Sequence, residues 1–292
     1  MRAALVLAAA AAAAIQAPQP PTFRAETRLV VLQATVRDAH GAILSDLDQR
    51  AFRVYENGKP QPITLFRRDD VPVSIGLLVD NSGSMRTARP RVEAAARAFA
   101  NASNPLDELF VENFADTVHV DVPMTTNLRA LEQHLGAMDA IGGTALYDAL
   151  KAAQAYLAAH ATRERRALVV ITDGNDNASE ATLADVERQA EARDTVIYAI
   201  GLFGGSGAAT RGRHDLDRLT SRTGGTAYYP SNLDEINTVA LQLAGQIRSQ
   251  YTIAYAPLNQ AMDGSYRAIR LTVAGHGRLT VQTRPGYRAV RQ

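Results

Sequence analysis

The spacing of hydrophobic residues changes twice along the chain, near residue 73 and near residue 250. Before residue 73, short apolar runs separated by turn residues predict strands at 29–36, 52–55 and 63–66. Asn57-Gly58 lies between the second and third runs, and both residue types tolerate positive φ. We therefore expect a β-hairpin there, with 63–66 as its return strand, in an all-β segment over residues 24–68.

Between residues 73 and 250, apolar strands alternate with helical patterns. Strands are predicted at 73–80, 109–114, 117–122, 168–172, 196–200 and 227–229. Helices are predicted at 89–102, 128–138, 144–160, 183–193, 216–221 and 233–247, and a flexible loop at 204–212. The alternation predicts an α/β fold, with a doubly wound, mostly parallel sheet of the Rossmann-like kind that helices cover on both faces.

After residue 250 strands return without helices, at 251–255, 265–273 and 279–283. This segment and the β segment at the other end are each too small to form a good core alone. We therefore expect the two to pair into one small β-sandwich in which the α/β domain is inserted. The predicted organisation is a signal peptide at 1–17, a linker at 18–26, the sandwich at 27–69 and 250–288, and the α/β domain at 70–249.

The N-terminus has the order of charged and apolar residues that is typical of an export signal. Met1-Arg2 precedes an unbroken apolar run at 3–15, which is shorter than the ~20 residues of a transmembrane helix but suits a signal peptide. Pro18 makes cleavage after Ala17 awkward, so cleavage after Ala14 is preferred. We expect a secreted or periplasmic protein of a bacterial envelope whose mature chain has no membrane span; an Ala-rich disordered tail is the alternative.

The amino-acid composition excludes several classes of function. The chain has 292 residues, of which 46% are hydrophobic and 21% charged, so it is globular with a real core. A net charge of +1 gives no overall field that would indicate nucleic-acid binding. The absence of cysteine excludes disulfides, thiolate metal sites and cysteine nucleophiles.

Five oxygen-bearing side chains follow three of the predicted strands. Asp80, Ser82 and Ser84 alternate directly after the strand at 73–80, Thr144 follows a Gly-Gly pair, and Asp173 ends another apolar strand. In a doubly wound sheet, ligands bind beyond the carboxyl ends of the strands, so these side chains are expected to converge. Oxygen ligands of this kind suit Mg²⁺ or Mn²⁺ in octahedral geometry.

Each of these features also has a simpler interpretation. The hydroxyls of Ser82, Ser84 and Thr144 are able to cap helices, and Asp173-Gly174 is able to form a plain turn. Their joint placement at one sheet edge favours the metal site.

Five other residues near the predicted site or near the last helix have less specific roles. Asp148 either supports the site or interacts with a helix dipole, whereas a solvated loop is expected for Asp176 and Asn177. Packing is expected for Tyr228-Tyr229.

The strings DNSGSM, GGTALYDA and ITDGNDN resemble the three loops of the metal-ion-dependent adhesion site of the von Willebrand factor type A domain family. Asp80, Ser82, Ser84, Thr144 and Asp173 fall on that motif without substitution. The flanking segments are similar to the related domain of the acidobacterial type, and the resemblance covers about residues 27–287. It implies Mg²⁺-dependent protein binding in adhesion or interaction, in which a partner's Asp or Glu completes the metal coordination, and no catalysis.

Two other function classes stay open at this point. A phosphohydrolase of the haloacid-dehalogenase type would use Asp80 as nucleophile and Asp173 with Asp176 as metal ligands, but Ser82 stands where its general acid is required. A metal-free structural scaffold is the third class. The sequence contains no G-x-S-x-G, H-E-x-x-H, P-loop or G-x-G-x-x-G motif.

Overall fold

The computed structural model describes residues 29–127, 141–174, 176–203, 208–274 and 277–290. The predicted signal peptide, the linker and the predicted helix at 128–138 lie outside the described residues. The strands are β1 (Val30–Arg37), β2 (Phe52–Glu56), β3 (Lys59–Gln61), β4 (Ile63–Arg67), β5 (Val73–Asp80), β6 (Glu108–Phe114), β7 (Val118–Thr125), β8 (Arg165–Thr172), β9 (Thr195–Gly201), β10 (Ala227–Tyr228), β11 (Tyr251–Tyr255), β12 (Tyr266–Val273), β13 (Thr280–Gln282) and β14 (Gly286–Arg288). The α-helices described are α1 (Arg89–Ala102), α2 (Leu146–His160), α3 (Leu183–Arg193), α4 (Ala208–Thr223) and α5 (Ile236–Arg248).

A six-stranded sheet forms the centre of the molecule, in the order β10-β9-β8-β5-β6-β7. Only β7 is antiparallel to its neighbour. Every residue of β5 is buried, as expected for an apolar strand in the middle of a parallel sheet. Helices α1 and α5 pack on one face through residues such as Phe99 and Leu243, and α2, α3 and α4 pack on the other. The predicted α/β fold is confirmed.

Strands from both ends of the chain build a sandwich of two four-stranded sheets, β13-β1-β11-β4 and β14-β12-β2-β3. β1 pairs antiparallel with β11, so that Val30 lies opposite Tyr255. The core between the sheets contains Leu32, Phe52, Tyr251 and Tyr255. The predicted pairing of the two terminal β segments is therefore confirmed.

The return strand of the first hairpin differs from the prediction. Asn57 and Gly58 both have positive φ, as expected, but the chain pairs again at once, with Lys59 opposite Glu56. The segment at 63–66 is a strand as predicted, yet it pairs with β11 in the other sheet. Pro62, which has no amide hydrogen, separates the two short strands at the point where the chain crosses between sheets.

The prediction of a flexible loop at 204–212 is wrong for residues 208–212, which form the start of α4. Gly212 lies inside this stretch and lowers its helix propensity by roughly 1 kcal/mol relative to alanine. Tertiary packing outweighs this, because Leu216 and Leu219 are buried against the sheet. A Cβ on Gly212 would lie 2.4 Å from the carbonyl oxygen of Gly174, so the glycine lets α4 approach the loop after β8.

The sandwich and the α/β domain meet through a buried polar network beside the end of α5. Arg165 donates hydrogen bonds to the carbonyl of Ile247 and to Gln250 Oε1, at 2.9 and 2.6 Å. Gln250 Nε2 donates to the Tyr198 hydroxyl at 2.8 Å. Tyr228, which was expected only to pack, accepts a hydrogen bond from Arg37 of the sandwich. None of the described helices is both long enough and apolar enough to span a membrane.

Glu112 on β6 gives a prediction about stability and pH. It is 1% exposed, and neither carboxylate oxygen has a hydrogen-bond partner among the described residues. Burial raises its pKa from 4.5 to about 8. A group whose pKa is higher in the folded state stabilises the protein below its unfolded pKa and loses that contribution as pH rises through its folded pKa. We therefore expect the free energy of unfolding to fall between about pH 4.5 and pH 8, by on the order of 5 kcal/mol.

The variant Glu112→Gln should lack this component when the free energy of unfolding is measured by urea denaturation across the pH range. Glu180→Gln, at an exposed position, is the matched control and should keep the wild-type profile. Identical profiles for Glu112→Gln and wild type would contradict the assignment.

Candidate functional site

Asp80 ends β5 with its side chain enclosed by protein. It is 2% exposed, and its two oxygens accept hydrogen bonds from the Ser82 amide at 2.9 Å and from the Thr172 hydroxyl at 2.6 Å. Burial, with a smaller contribution from the charge of Asp173, raises the pKa of Asp80 to about 6 against the effect of the hydrogen bonds from Thr172 and Ser82. Because β5 and β8 pair in parallel with Val79 opposite Ile171, Asp80 and Asp173 lie at the carboxyl ends of neighbouring strands.

The Ser82 and Ser84 hydroxyls lie side by side, with their Oγ atoms 3.1 Å apart. Ser82 is buried, whereas Ser84 is exposed at the surface. Ser82 precedes a 3₁₀ helix at Gly83–Thr87, but its side chain makes no capping hydrogen bond. The simpler interpretation of Ser82 as a helix cap is thus not realised.

Thr144 is 3% exposed and lies just before α2. The helix was predicted to begin at Thr144, but it begins at Leu146 and has no side-chain cap. Thr144 is held instead by Asn177, whose Oδ1 accepts from the Thr144 amide at 2.8 Å and whose amide donates to the Thr144 carbonyl at 3.0 Å. The Gly83 amide donates to the Gly142 carbonyl at 3.2 Å, which joins this loop to the serine loop.

Asp173 follows β8 and is half-buried. The next residue, Gly174, has a φ of +91°, which lets the chain turn away from the sheet edge. The Gly174 amide donates to the Thr172 hydroxyl at 2.9 Å. Since the same hydroxyl donates to Asp80, Thr172 ties the loops after β5 and β8 together. Sequence reasoning missed Thr172; its only signal is a hydroxyl at the end of an otherwise apolar strand.

Side-chain hydrogen bonds that the sequence did not predict hold the loop after Asp173. Asp148 on α2 accepts hydrogen bonds from the amides of Glu180 and Ala181, each at 2.9 Å. Asp176 accepts from the Ser179 hydroxyl. Asp148 and Asp176 therefore fix the loop that carries Asn177. Asn177 is exposed in a loop, as expected, and the hydrogen bonds that hold this loop are an additional finding.

The carboxylate and hydroxyl oxygens at this edge of the sheet are ligands that suit a small hard cation. Adjacent ligands of an octahedral Mg²⁺, at bonds of about 2.1 Å, lie about 3.0 Å apart, close to the separation of the two serine hydroxyls. No group of three or more His, Cys, Asp or Glu side chains in the described residues is placed to hold a metal. A cation here would therefore depend on hydroxyl ligands as well as on Asp80 and Asp173.

One rim of the site is basic and aromatic. The Arg213 guanidinium lies 4.4 Å from the ring centre of Tyr229 and 5.4 Å from that of Phe203. The Phe203 ring packs so closely against Gly174 that a Cβ there would clash with it. Arg213 is exposed, so the rim places a positive charge beside the loop of Asp173.

Residues 75–175 match the family model of the von Willebrand factor type A domain. This chain contains a type A domain. The type A sheet and its sandwich are similar to a von Willebrand factor type A protein from Catenulispora acidiphila, at 12% identity and a TM-score of 0.54 over 92% of this chain and 75% of that one. The search of curated proteins returned no match.

Two further solved structures share the fold. An aerotolerance-related membrane protein from Bacteroides fragilis is 16% identical, with a TM-score of 0.50 over 60% of this chain and 98% of that chain. Proximal thread matrix protein 1 from the mussel byssus, in a structure with a zinc-occupied MIDAS motif, is 17% identical, with a TM-score of 0.53 over 66% of this chain. This chain covers 50% of the mussel protein. Similarity at these identities shows the type A fold.

Removal of the Asn177 side chain should loosen Thr144. In Asn177→Ala the Thr144 amide loses its acceptor, and a hydrogen bond is worth about 1 kcal/mol, so exchange of that amide should be about fivefold to tenfold faster by NMR. Asn259→Ala is the matched control, because Asn259 also accepts from a loop amide, that of Ala261. It should leave Thr144 unchanged. Unaltered Thr144 exchange in Asn177→Ala would show that Asn177 does not hold this loop.

Proposed function

We propose that the type A domain binds Mg²⁺ or Mn²⁺ through Asp80, Ser82, Ser84, Thr144 and Asp173, and that it binds a carboxylate of a protein partner at that metal. The observation that carries the proposal is the buried Asp80 carboxylate beside the paired serine hydroxyls. Zinc occupies the MIDAS motif in the mussel structure that shares the fold, which supports metal binding at this edge.

The ligand set favours binding of an anion. Serine and threonine hydroxyls are neutral, so two carboxylates balance at most the charge of a divalent ion. Both oxygens of Asp80 already accept a hydrogen bond, from Ser82 and Thr172, and we infer that Asp80 acts largely through water. The bound cation would then act as a Lewis acid with one exchangeable coordination position. An Asp or Glu carboxylate of the partner fills that position. The exposed Ser84 lies where such a partner has access.

The phosphohydrolase alternative has less support. Its general acid would stand at Ser82, whose hydroxyl lies against Ser84 and has no acidic function near neutral pH. The two lysines lie in other surroundings, Lys59 in the sandwich strand β3 and Lys151 near Asp185 at the start of α3. Non-enzymatic binding is therefore the function we propose. A metal-free scaffold, by contrast, would bind its partner equally well with and without the metal.

We propose a secreted or periplasmic location for this binding. The support is the charged-then-apolar order of residues 1–15. A site for a protein carboxylate on an exported domain suits adhesion or interaction at the bacterial envelope.

Metal binding is tested by calorimetry on the full chain. Titration of Mg²⁺ or Mn²⁺ should show one site that is lost in Asp80→Ala and weakened in Asp173→Ala. Because a proton on Asp80 competes with the metal and its pKa is about 6, affinity should fall as pH drops below about 6. Asp46→Ala, at an exposed position in the sandwich part of the chain, is the control and should bind as wild type does. Equal binding by Asp80→Ala and wild type would refute the site.

Partner binding is tested separately. Protein captured from envelope extract by the immobilised chain should be retained in Mg²⁺ and released by EDTA, and Ser84→Ala should capture much less of it. Turnover of p-nitrophenyl phosphate should be absent in Mg²⁺. Partner capture that is indifferent to EDTA would favour the metal-free scaffold, and metal-dependent phosphate release would favour the hydrolase.

A further inference from the structure

A cavity of about 390 Å³ lies between the sandwich and the type A domain. One wall is the outer face of the sheet β13-β1-β11-β4, with residues such as Val31 and Leu65. The other wall is formed where β5, β8 and β9 begin, together with the last turns of α3, α4 and α5. The cavity is therefore at the opposite end of the parallel strands from Asp80. Its volume is in the range of small-molecule sites.

The walls are mainly apolar but carry more positive than negative charge. Arginines at five positions line the cavity, against carboxylates at three. The arginines are Arg67, Arg165, Arg166, Arg222 and Arg284. The carboxylates are Glu164, Glu191 and Asp194. Glu191 pairs with Arg222, and Asp194 with Arg284, so these charges are already compensated.

Donors remain unused around this cavity. Five arginine Nε atoms are buried without a hydrogen-bond partner in the described part of the chain, and four of them belong to residues that line this one cavity. Arg165 is itself 6% exposed, so its Nε cannot rely on bulk water. Neither Arg67 nor Arg166 forms an ion pair with a described residue. Buried donors and unpaired cations at one place indicate an anion site, because a buried donor without a hydrogen-bond partner destabilises the protein.

We propose that this cavity binds a small organic anion with an apolar body, with Arg166 and Arg67 contributing the charge and the unused Nε donors the hydrogen bonds. The apolar body fits the sheet wall, where Leu29 and Val31 are exposed at 50% and 36% although both are large and hydrophobic.

The test uses decanoate as probe, a carboxylate with an apolar chain, at concentrations at which it is monomeric. Calorimetry on the full chain should show one site in wild type. Arg166→Ala should bind about tenfold or more weakly, because one charge-assisted contact is lost, and Arg166→Lys should retain most of the affinity. Arg188→Ala, an exposed cation outside the lining, is the matched control. Arg67→Ala is a second variant at an exposed position, where a folding defect is not expected.

Two other probes decide whether both parts of the ligand are required. 1-Decanol lacks the charge and inorganic phosphate lacks the apolar body, so both should bind at least tenfold more weakly than decanoate. Equal binding of either probe, no decanoate site in wild type, or equal decanoate affinity in wild type, Arg166→Ala and Arg67→Ala would overturn the proposal. Asp80→Ala should bind decanoate as wild type does; a loss as large as in Arg166→Ala would overturn the placement of the site.

Discussion

Burial of β5 on both of its faces is the constraint on which the rest of the structure depends. A strand with no exposed residue requires neighbours on both edges and helices above and below, and the type A domain supplies all of them. The strand also carries Asp80 into a place that water hardly reaches. The carboxylate must then find its partners in the protein, and the Ser82 amide and Thr172 hydroxyl provide them. Those two bonds fix the position of the Asp80 carboxylate.

Strong local patterns made much of the fold predictable. The observed bounds of β5, α1 and α3 coincide with the predicted ones, because an apolar run or an amphipathic repeat there agrees with the tertiary environment. The convergence of Asp80 and Asp173 was also predictable, since parallel strands end at one sheet edge. Ligation of a metal by these residues remains a prediction.

The features that the sequence did not predict have a common cause. In each of them, contacts between residues far apart in the chain determine the local structure. The start of α4 looks like a loop in sequence, and its helix is understood only when Gly212 is seen against Gly174. The sheet to which residues 63–67 belong depends on a partner strand almost two hundred residues away. Asn177 holds Thr144 across two loops, and a single sequence carries no signal for such a pair.

The connection between sandwich and type A domain has a consequence for folding. β4 pairs with β11, although residues 68–250 lie between them in the chain. If that segment were unfolded, closing it as a loop would cost about 5 kcal/mol of chain entropy. Once folded, the type A domain presents its two ends, at Val73 and Arg248, near the same sandwich sheet, so that little of this entropic cost remains. The stability of the sandwich therefore depends on whether the inserted domain is folded.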